Sequence, residues 1–434
     1  MVRRFSEAEI CEFEALLALR KTAFVACPKG LPSLELLLEY MNADRRVKEL
    51  TEFEVTPLKV TYFGNNERLP TIMDSVREKN VIITQGFTQG EDPKDTHLSG
   101  EIKDLEWTIK TVRTCKANSI SLDIGFFPYG RSDKQFKGGQ TILCKAFFDG
   151  LEKQAGNKAK GILTYDLHND AIAGFVDNFS MDALSAAPLF AMYFRNLPEL
   201  KGIVPVVLAP DAGGLKRAED FRDMLGGDFA YTHKERIQGG KAKIKEIISK
   251  FSLKGRVVIV IDDMISGGGT ASEIADACYK LQAKQVYFAA THVLVVKTPG
   301  EPDPEDVFRK SGLKIVGGDT VLRSPEYLWQ NQDWFTQITT AGMKSDFMLG
   351  HYFGDNFRNI RERYHDLGVG SITYDSSEGR LMPAVTKIRD EGGLIDYAHQ
   401  GIAYATLGDL KLPNPAYLKA WARADAFKNL HNQK

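Results

Sequence analysis

Hydrophobic positions along the chain fall into short β-branched runs that alternate with longer amphipathic segments. The strongest run, 256–261, predicts a buried parallel strand. Further runs predict strands at 22–27, 58–63, 81–84, 119–126, 161–165, 204–209, 229–232, 286–292 and 313–316. The amphipathic segments predict helices at 6–20, 32–41, 101–115, 141–155, 185–195, 214–225, 241–250, 271–282 and 415–430. This β-α-β alternation is typical of mainly parallel α/β sheets covered by helices on both faces.

The length of 434 residues accommodates two such sheets, with a divide near residue 185. We therefore predict an N-terminal domain at 20–185, a second domain at 186–350 and a C-terminal extension at 351–434. The charged segment 43–54 reads as a surface insertion, and 86–100 reads as a loop. The extension carries no recognisable ligand-binding motif and is expected to pack on the domains or to form an oligomer contact.

Charge and cysteine content narrow the class of protein. A formal net charge of -1 argues against a protein that binds nucleic acid. No apolar run reaches the roughly 18 residues of a membrane span, and the acidic residues near the N-terminus argue against a signal peptide. Five cysteines without a CxxC pair fit free thiols in a reducing compartment. A cytoplasmic enzyme is expected.

The central strand leads into the most informative motif of the chain. Two adjacent carboxylates, Asp262 and Asp263, can accept hydrogen bonds from vicinal hydroxyls. The loop that follows can hold a phosphate through backbone N–H groups and a helix N-terminus; its residues are Ser266, Gly267, Gly268, Gly269 and Thr270. Together these features predict a ribose-phosphate site, and the alternative is a tight turn between strand and helix.

Polar residues with metal-ligand chemistry follow two other predicted strands. His168, next to Asp166 and Asp170, can bind a divalent ion or the Mg²⁺ of a triphosphate, or it can cap a helix. Asp211 precedes two glycines and a helix, so it can hold a metal or act as an N-cap.

Basic residues follow two more predicted strands. Arg131 and Lys134, which flank Asp133, can neutralise a polyphosphate or belong to a solvated loop. Lys234 and Arg236 can close over a reacting phosphoryl group, or they can form surface salt bridges. Because strand ends of doubly wound sheets converge, these residues are expected to share a cleft.

The order of these motifs and the residues in them resemble those of the ribose-phosphate diphosphokinases, also called phosphoribosyl pyrophosphate (PRPP) synthetases. The resemblance extends from about residue 23 to 345. The loop with Phe63, Asn65 and Glu67 resembles the family's loop that reaches the ATP adenine of a neighbouring subunit. The resemblance further implies the following roles: ATP contacts at Arg131, Asp133 and Lys134; magnesium ligation at His168, Asp170 and Asp211; catalysis by Lys234 and Arg236; and ribose-phosphate binding by residues 262–270.

What the resemblance implies is two phosphoribosyltransferase-type domains and a homo-oligomer, a dimer or hexamer, with ATP sites between subunits. It implies transfer of the pyrophosphoryl group of Mg-ATP to the 1-hydroxyl of ribose 5-phosphate, giving PRPP and AMP. The cofactor would be Mg²⁺, with ATP as co-substrate and with neither nucleic acid nor membrane as partner. No covalent nucleophile is needed, because phosphoryl transfer depends on positioning and charge neutralisation.

One departure keeps alternatives open. Gly267 stands where many relatives have threonine, so the phosphate site lacks a hydroxyl and could accept a larger phosphodiester such as ADP-ribose in the same reaction. A type I phosphoribosyltransferase would need only the 262–270 site. A non-catalytic regulatory paralogue would have lost reacting groups that this chain retains.

Overall fold

The structure, a computed structural model, describes residues 7–44, 46–47, 51–65, 67–87, 98–236, 242–298, 300–353, 373–375, 380–382, 404–407, 410–413 and 419–424. It divides into two compact units. Unit 1 is built from the described residues of Met1–Leu184, Ala341–Arg361 and Pro415–Lys434, and unit 2 from those of Ser185–Thr340 and Glu362–Asn414.

Unit 1 contains a parallel sheet and a separate hairpin. The strands of this unit are β1 (Thr22–Ala26), β2 (Leu58–Tyr62), β3 (Arg68–Ile72), β4 (Asn80–Thr84), β5 (Ser119–Asp123), β6 (Ala159–Tyr165) and β7 (Ser180–Leu184). Five of them pair in the order β1-β4-β5-β6-β7, all parallel, whereas β2 and β3 form a separate antiparallel hairpin. The sequence pattern does not predict β3 or β7, because β3 contains Pro70 and β7 contains the polar residues Ser180 and Asp182.

The helices of unit 1 pack against this sheet and against each other. They are α1 (Glu7–Arg20), α2 (Leu31–Ala43), α3 (Leu98–Thr114) and α4 (Leu143–Ala155). Helix α2 contacts β1 and β4, and α3 contacts β5 and α4. The predicted insertion at 43–54 and loop at 86–100 lie partly outside the described residues; within the second segment, α3 already begins at Leu98.

Unit 2 contains a larger mixed sheet. Its strands are β8 (Val206–Ala209), β9 (Asp228–Arg236), β10 (Ala242–Ser249), β11 (Val257–Ile265), β12 (Gln285–Val293), β13 (Lys314–Gly318) and β14 (Phe335–Ile338). Its helices are α5 (Ala187–Arg195), α6 (Leu215–Leu225), α7 (Gly269–Lys280), α8 (Pro304–Ser311) and α9 (Pro325–Gln330). The strand order is β10-β9-β8-β11-β12-β13-β14, and every pairing except β9–β10 is parallel.

Two features of this sheet matter for function. The predicted helix at 241–250 is wrong: Ala242–Ser249 form β10, antiparallel to β9, with Ile248 opposite Tyr231. The chain adds β9 and β10 on one side of β8, and then places β11 to β14 on the other side. The strand order therefore reverses between β8 and β11, and open α/β sheets bind ligands outside the carboxyl ends of the strands at such a switch point.

After the first segment of unit 2, which ends at Thr340, the chain returns to unit 1 as α10 (Ala341–Tyr352), which contacts α1 and α2. Lys344 of this helix forms an ion pair with Asp123, Nζ to Oδ1 3.0 Å, and both side chains are buried. Of the predicted helix 415–430, the described part 419–424 is helical, and Lys419 pairs with Glu39 of α2 at 2.8 Å. Within the described ranges, no helix is long and apolar enough to cross a membrane.

Candidate active site

The predicted ribose-phosphate motif lies at the switch point of unit 2. Strand β11 continues to Ile265, so Asp262 and Asp263 belong to the strand itself. Asp263 is buried, and Asp262 is partly exposed. The loop then turns into α7, which begins at Gly269, and Gly269 and Thr270 are exposed at its N-terminus. An exposed helix N-terminus after a glycine loop is suited to an anion.

Gly268 is the residue that the loop geometry requires to be glycine. Its φ of 80° lies in the left-handed region, which disfavours residues with a side chain. A Cβ atom at this position would also lie 2.5 Å from Cε1 of Phe308, which is fully buried. By contrast, a Cβ on Gly269 would meet no atom within 4 Å.

Arg217, in the first turn of α6, neutralises the acidic pair. Its Nη1 lies 3.0 Å from Oδ1 of Asp262 and 3.4 Å from Oδ1 of Asp263. Burial, followed by the charge of Asp263, raises the pKa of Asp262 to about 7, whereas Arg217 lowers it. The sequence motif gives no sign of this contact, since α6 and β11 are far apart in the chain.

Asp211 and Lys234 come together next to this strand end. Oδ1 of Asp211 accepts hydrogen bonds from the N–H groups of Gly213 and Gly214, at 3.0 and 3.1 Å. Asp211 therefore caps the turn before α6, which was one of its two predicted roles. Its Oδ2 lies 3.9 Å from Nζ of Lys234 on β9.

The remaining catalytic candidate, Arg236, is the last residue of β9. Its side chain lies outside the described part of the structure, as does the Gly-Gly segment after it. The backbone pairs Arg236 with Ala242 of β10, and Lys234 with Ile244. Lys234 is thus carried by an antiparallel ribbon at the edge of the sheet.

In unit 1, the two segments predicted to bind ATP and metal are neighbours. Asn169 Nδ2 donates to Oδ2 of Asp133 at 2.9 Å, and a Cβ on Gly130 would lie 3.9 Å from Cβ of His168. The side chains of Arg131, Lys134, His168 and Asp170 are exposed. Both segments follow the carboxyl ends of strands, β5 and β6, so they lie at one edge of the sheet.

Backbone strain marks the same edge. Tyr129 and Asp166 have φ values of 65° and 28°, in the region that non-glycine residues rarely adopt. Asp170 opens a short 3-10 turn that Asn169 caps by accepting a hydrogen bond from Ala171 N–H at 3.0 Å. Strained residues of this kind cluster at ligand sites.

The β2–β3 hairpin presents Phe63 at its tip. Phe63 is 48% exposed, and Tyr62, Leu69 and Met73 of the same hairpin are exposed as well. Phe63 N–H donates to the carbonyl of Glu67 at 2.9 Å, and Asn65 Oδ1 accepts from Glu67 N–H at 3.2 Å. The tip is therefore ordered by its own hydrogen bonds while its aromatic ring remains available.

The hairpin is anchored to α3 next to its tip, by the first residue of β3. Arg68 pairs with Asp104, Nη1 to Oδ2 2.5 Å, and donates to the carbonyl of Gly100 at 3.0 Å. Burial raises the pKa of Asp104, and the Arg68 guanidinium opposes that shift.

Acidic residues also group outside the predicted sites. In the part of the chain that the structure describes, Asp149, Glu152 and Asp177 come within metal-ligand distance of one another. Glu152 Oε1, however, accepts hydrogen bonds from the N–H groups of Asp177, Asn178 and Phe179, and Lys145 pairs with both aspartates. This group therefore stabilises the turn before β7.

Comparisons with known proteins agree with this architecture. Residues 40–156 match the model of the N-terminal domain of ribose phosphate pyrophosphokinase, and residues 185–322 match that of the phosphoribosyl transferase domain. A ribose-phosphate pyrophosphokinase of Streptomyces coelicolor is 32% identical over 240 residues, which cover 55% of this chain and 69% of the relative. The chain belongs to the ribose-phosphate pyrophosphokinase family.

Other relatives extend the likeness beyond these segments. Ribose-phosphate pyrophosphokinase 1 of Lactococcus lactis is 28% identical over 307 residues, covering 71% of this chain and 88% of the relative. The crystal structure of phosphoribosylpyrophosphate synthetase from Mycobacterium smegmatis superposes with a TM-score of 0.62 at 23% identity, covering 77% of this chain and 99% of the other. The predictions of the family, of an enzyme and of two phosphoribosyltransferase-type α/β domains are confirmed.

Proposed function

We propose that this ribose-phosphate pyrophosphokinase transfers the pyrophosphoryl group of Mg-ATP to the 1-hydroxyl of ribose 5-phosphate. A bond forms between that hydroxyl oxygen and the β-phosphorus, and the bond from the β-phosphorus to the oxygen of the α-phosphate breaks, giving PRPP and AMP. The observation that carries the proposal is the set of groups at the switch point of unit 2. These groups are the acidic pair near the end of β11, the glycine loop that opens α7, and the lysine that β9 carries beside Asp211.

The acceptor is held by the end of β11 and the start of α7. Asp262 and Asp263 accept hydrogen bonds from the ribose hydroxyls, and residues 266–270 receive the 5-phosphate through backbone N–H groups. Arg217 keeps part of the negative charge of the acidic pair neutralised before the sugar arrives. Lys234, with Arg236 beyond it on β9, stabilises the charge that develops on the transferred group.

The donor is bound by the strand-end segments of unit 1. Arg131 and Lys134 are exposed cations that can pair with phosphate oxygens, and Asp133 is fixed by Asn169. The ring of Phe63 stacks on the adenine, with Asn65 and Glu67 shaping the tip around it. Because the tip projects exposed apolar side chains, we propose that it serves the ATP of a neighbouring copy, which makes the enzyme a homo-oligomer.

Magnesium is the cofactor of this proposal. The exposed His168, Asp170 and Asp211 offer an imidazole nitrogen and carboxylate oxygens, and Mg²⁺ is usually held by one or two carboxylates together with substrate phosphates. An ion held by His168 and Asp170 of unit 1, or one held by Asp211 of unit 2, would neutralise phosphate charge. One oxygen of Asp211 is occupied by the two backbone N–H groups of its cap, and its other oxygen faces Lys234.

ADP-ribose is a second candidate acceptor, favoured by Gly267. A Cβ at this position would have Val296 O as its nearest neighbour, at 3.8 Å, so a side chain would fit there and its absence leaves free space beside the phosphate loop. A phosphodiester could use that space. The substitution Gly267→Thr would fill it and add a hydroxyl donor for a terminal phosphate.

The test of the acceptor is AMP release from Mg-ATP, with ribose 5-phosphate and ADP-ribose supplied separately. We expect ribose 5-phosphate to be preferred, and Gly267→Thr to increase that preference. If ADP-ribose is the better substrate and Gly267→Thr abolishes its use, the second candidate holds instead. No AMP with either acceptor would contradict both.

Mixing two inactive variants tests the oligomer. Phe63→Ser would lose adenine stacking, and Lys234→Ala would lose the transfer step. If the tip serves a neighbouring copy, co-refolded mixtures regain part of the activity, because hybrid sites combine an intact Phe63 with an intact Lys234. A monomer by light scattering, with no regained activity, would contradict the proposal.

A further inference from the structure

The segment after β12 contains a residue in a conformation that its side chain disfavours. Val295 has a φ of 51° and is 5% exposed. A β-branched residue in the left-handed region is a genuine outlier, and such a conformation persists only where the surroundings enforce it. The contacts of this segment therefore identify what holds it.

The group that holds the segment is the guanidinium of Arg323. Its Nη2 donates to the carbonyl of Val293 at 3.0 Å and to that of Leu294 at 2.6 Å, the two residues before Val295. Arg323 is one of the largest fully buried side chains in the described part of the molecule. A buried cation is costly unless it is hydrogen-bonded, so its placement on two carbonyls fixes their direction.

Two contacts hold Arg323 itself in place. Its guanidinium lies 5.0 Å from the ring centroid of Tyr327, and its backbone N–H donates to Oε1 of the buried Gln337 at 3.2 Å. The next residue, Ser324, caps α9 by accepting from Tyr327 N–H at 3.1 Å. The guanidinium that bonds the two carbonyls therefore belongs to a residue just before α9, and Gln337 of β14 bonds the backbone of that residue.

The strained segment leads directly to the phosphate loop. Leu294 N–H donates to the carbonyl of Ile265, the last residue of β11, at 2.8 Å. One residue past Val295, the carbonyl of Val296 faces Gly267 of the loop, 3.8 Å from where a Cβ would be. Leu294 is thus bonded to the strand end from which the loop starts, and Val296 lies beside the loop, one residue on either side of Val295.

We propose that Arg323 is a positioning residue for the acceptor's phosphate group. By fixing the carbonyls of Val293 and Leu294, it holds Val295 in the left-handed conformation, and so it keeps the N–H of Leu294 on the carbonyl of Ile265, directly before the loop. The phosphate loop is then supported in the geometry that presents its N–H groups. The inference rests on the proposed function, because it takes residues 266–270 as the acceptor's phosphate site.

The main test is the substitution Arg323→Met, which keeps an unbranched buried side chain and removes the donor. We expect the KM for ribose 5-phosphate to rise about tenfold, because small misplacements of binding groups are costly, and the KM for ATP to remain within about twofold. A loss of general stability alone would not separate the two constants. Equal changes in both, or no change in either, would overturn the proposal.

Two further variants separate the donor from the rest of the arginine. One nitrogen of Arg323 contacts both carbonyls, so the single ammonium group of the lysine in Arg323→Lys can take over both bonds. The KM of this variant for ribose 5-phosphate should stay within about threefold of that of the unsubstituted protein. If Arg323→Met does not fold, Arg323→Gln, which keeps one amide donor, takes its place. The KM of Arg323→Gln for ribose 5-phosphate should lie between those expected for Arg323→Met and Arg323→Lys.

The control is an arginine of the same unit that, among the described residues, does not contact the segment after β12. Arg309 pairs with Asp333 at 3.3 Å, and Arg309→Met should leave the KM for ribose 5-phosphate unchanged.

Relief of strain provides a rescue. Glycine adopts a φ of 51° without penalty, so Val295→Gly added to Arg323→Met should recover part of the lost affinity for ribose 5-phosphate. If the double variant is no better than Arg323→Met, Val295 is not the link between Arg323 and the loop, and the proposal is overturned.

Amide exchange tests the same contact without turnover. In Arg323→Met, the amide of Leu294 should exchange faster, at least about tenfold, because the segment that positions it is released. Unchanged exchange would overturn the inference even in an active enzyme. If the unsubstituted protein forms no AMP but the amide of Leu294 still exchanges faster in Arg323→Met, the proposed function is wrong. The inference that Arg323 positions the segment before the loop is then still supported.

Discussion

Nη1 of Arg217 lies 3.0 Å from Oδ1 of Asp262, so a cation from α6 occupies one side of the acidic pair. Burial and the charge of Asp263 raise the pKa of Asp262 to about 7, and the positive charge of Arg217 opposes this rise in pKa. This balance makes the acidic pair sensitive to pH near neutrality.

Stability should therefore fall as pH rises from about 4 to about 7. In this window the unfolded chain has already lost the Asp262 proton, whereas the folded chain still binds it, so the folded state is favoured at the acidic end. In urea unfolding, the fall in stability from pH 5 to pH 8 should be smaller for Asp262→Asn than for the unsubstituted chain, by up to about 3 kcal/mol. The reason is that pH 5 lies about two units below the raised pKa of Asp262, and each unit is worth about 1.4 kcal/mol. An equal fall in both proteins would rule out Asp262 as the source.

Gly268→Ala should destabilise unit 2 by about 2–4 kcal/mol. The left-handed conformation costs a side chain about 1–2 kcal/mol, and contact with the buried Phe308 adds an overpacking cost. Gly269→Ala is the matched control: it lies at the start of α7 with open space around it, so the free energy of unfolding should stay equal or rise slightly. Chemical denaturation of both variants checks this, and similar values for the two would contradict the assignment.

Lys234→Ala should lower kcat by about 10²–10³-fold while leaving thermal stability nearly unchanged. The ammonium lies 3.9 Å from Asp211 and is proposed to stabilise the transferred group. Steady-state AMP formation and a thermal melt measure the two effects. Lys254→Ala, an exposed lysine before β11, is the control that should change neither; unchanged kcat in Lys234→Ala would remove Lys234 from the catalytic set.

Arg68→Met should destabilise unit 1 by about 3–5 kcal/mol. The substitution leaves the carboxylate of Asp104, only 3% exposed, without its cation. Adding Asp104→Leu should recover much of the loss, because the uncompensated charge is then gone. Lys103→Met, which breaks the exposed pair with Glu106 on the same helix, should cost less than about 1 kcal/mol in the same urea titration. A comparable cost for Lys103→Met and Arg68→Met would contradict the role of burial.

The sequence predicts most of the parallel strands because their apolar runs are buried on both faces. It fails at β10, where Ile244, Ile247 and Ile248 recur at helical spacing. The structure accommodates that spacing with a register shift between Ile244 and Glu246, which lets both isoleucine groups pair with β9. Periodicity alone cannot reveal such a bulge.

In the candidate site, too, the sequence predicts roles that depend on neighbouring residues and misses contacts between residues far apart in the chain. Asp211 as a cap and Gly268 as a left-handed turn depend on the next few residues, so the motif is enough to suggest them. Arg217 and Arg323 act on residues that lie 45 and 29 positions away along the chain. Nothing in the local sequence around these arginines identifies those partners; the packing of α6 and α9 does.

The ion pair between Asp123 and Lys344 has a consequence for how the protein is made. Asp123 is fully buried at the end of β5, yet its cation belongs to α10, which the ribosome adds only after residues Ser185–Thr340 of unit 2. At typical rates of synthesis this delay is on the order of ten seconds, during which the carboxylate lacks its lysine. The ion pair of unit 1 therefore forms only after residues 185–340 have been made, and a gene split after residue 184 would have to carry 341–353 and 419–424 with the first half.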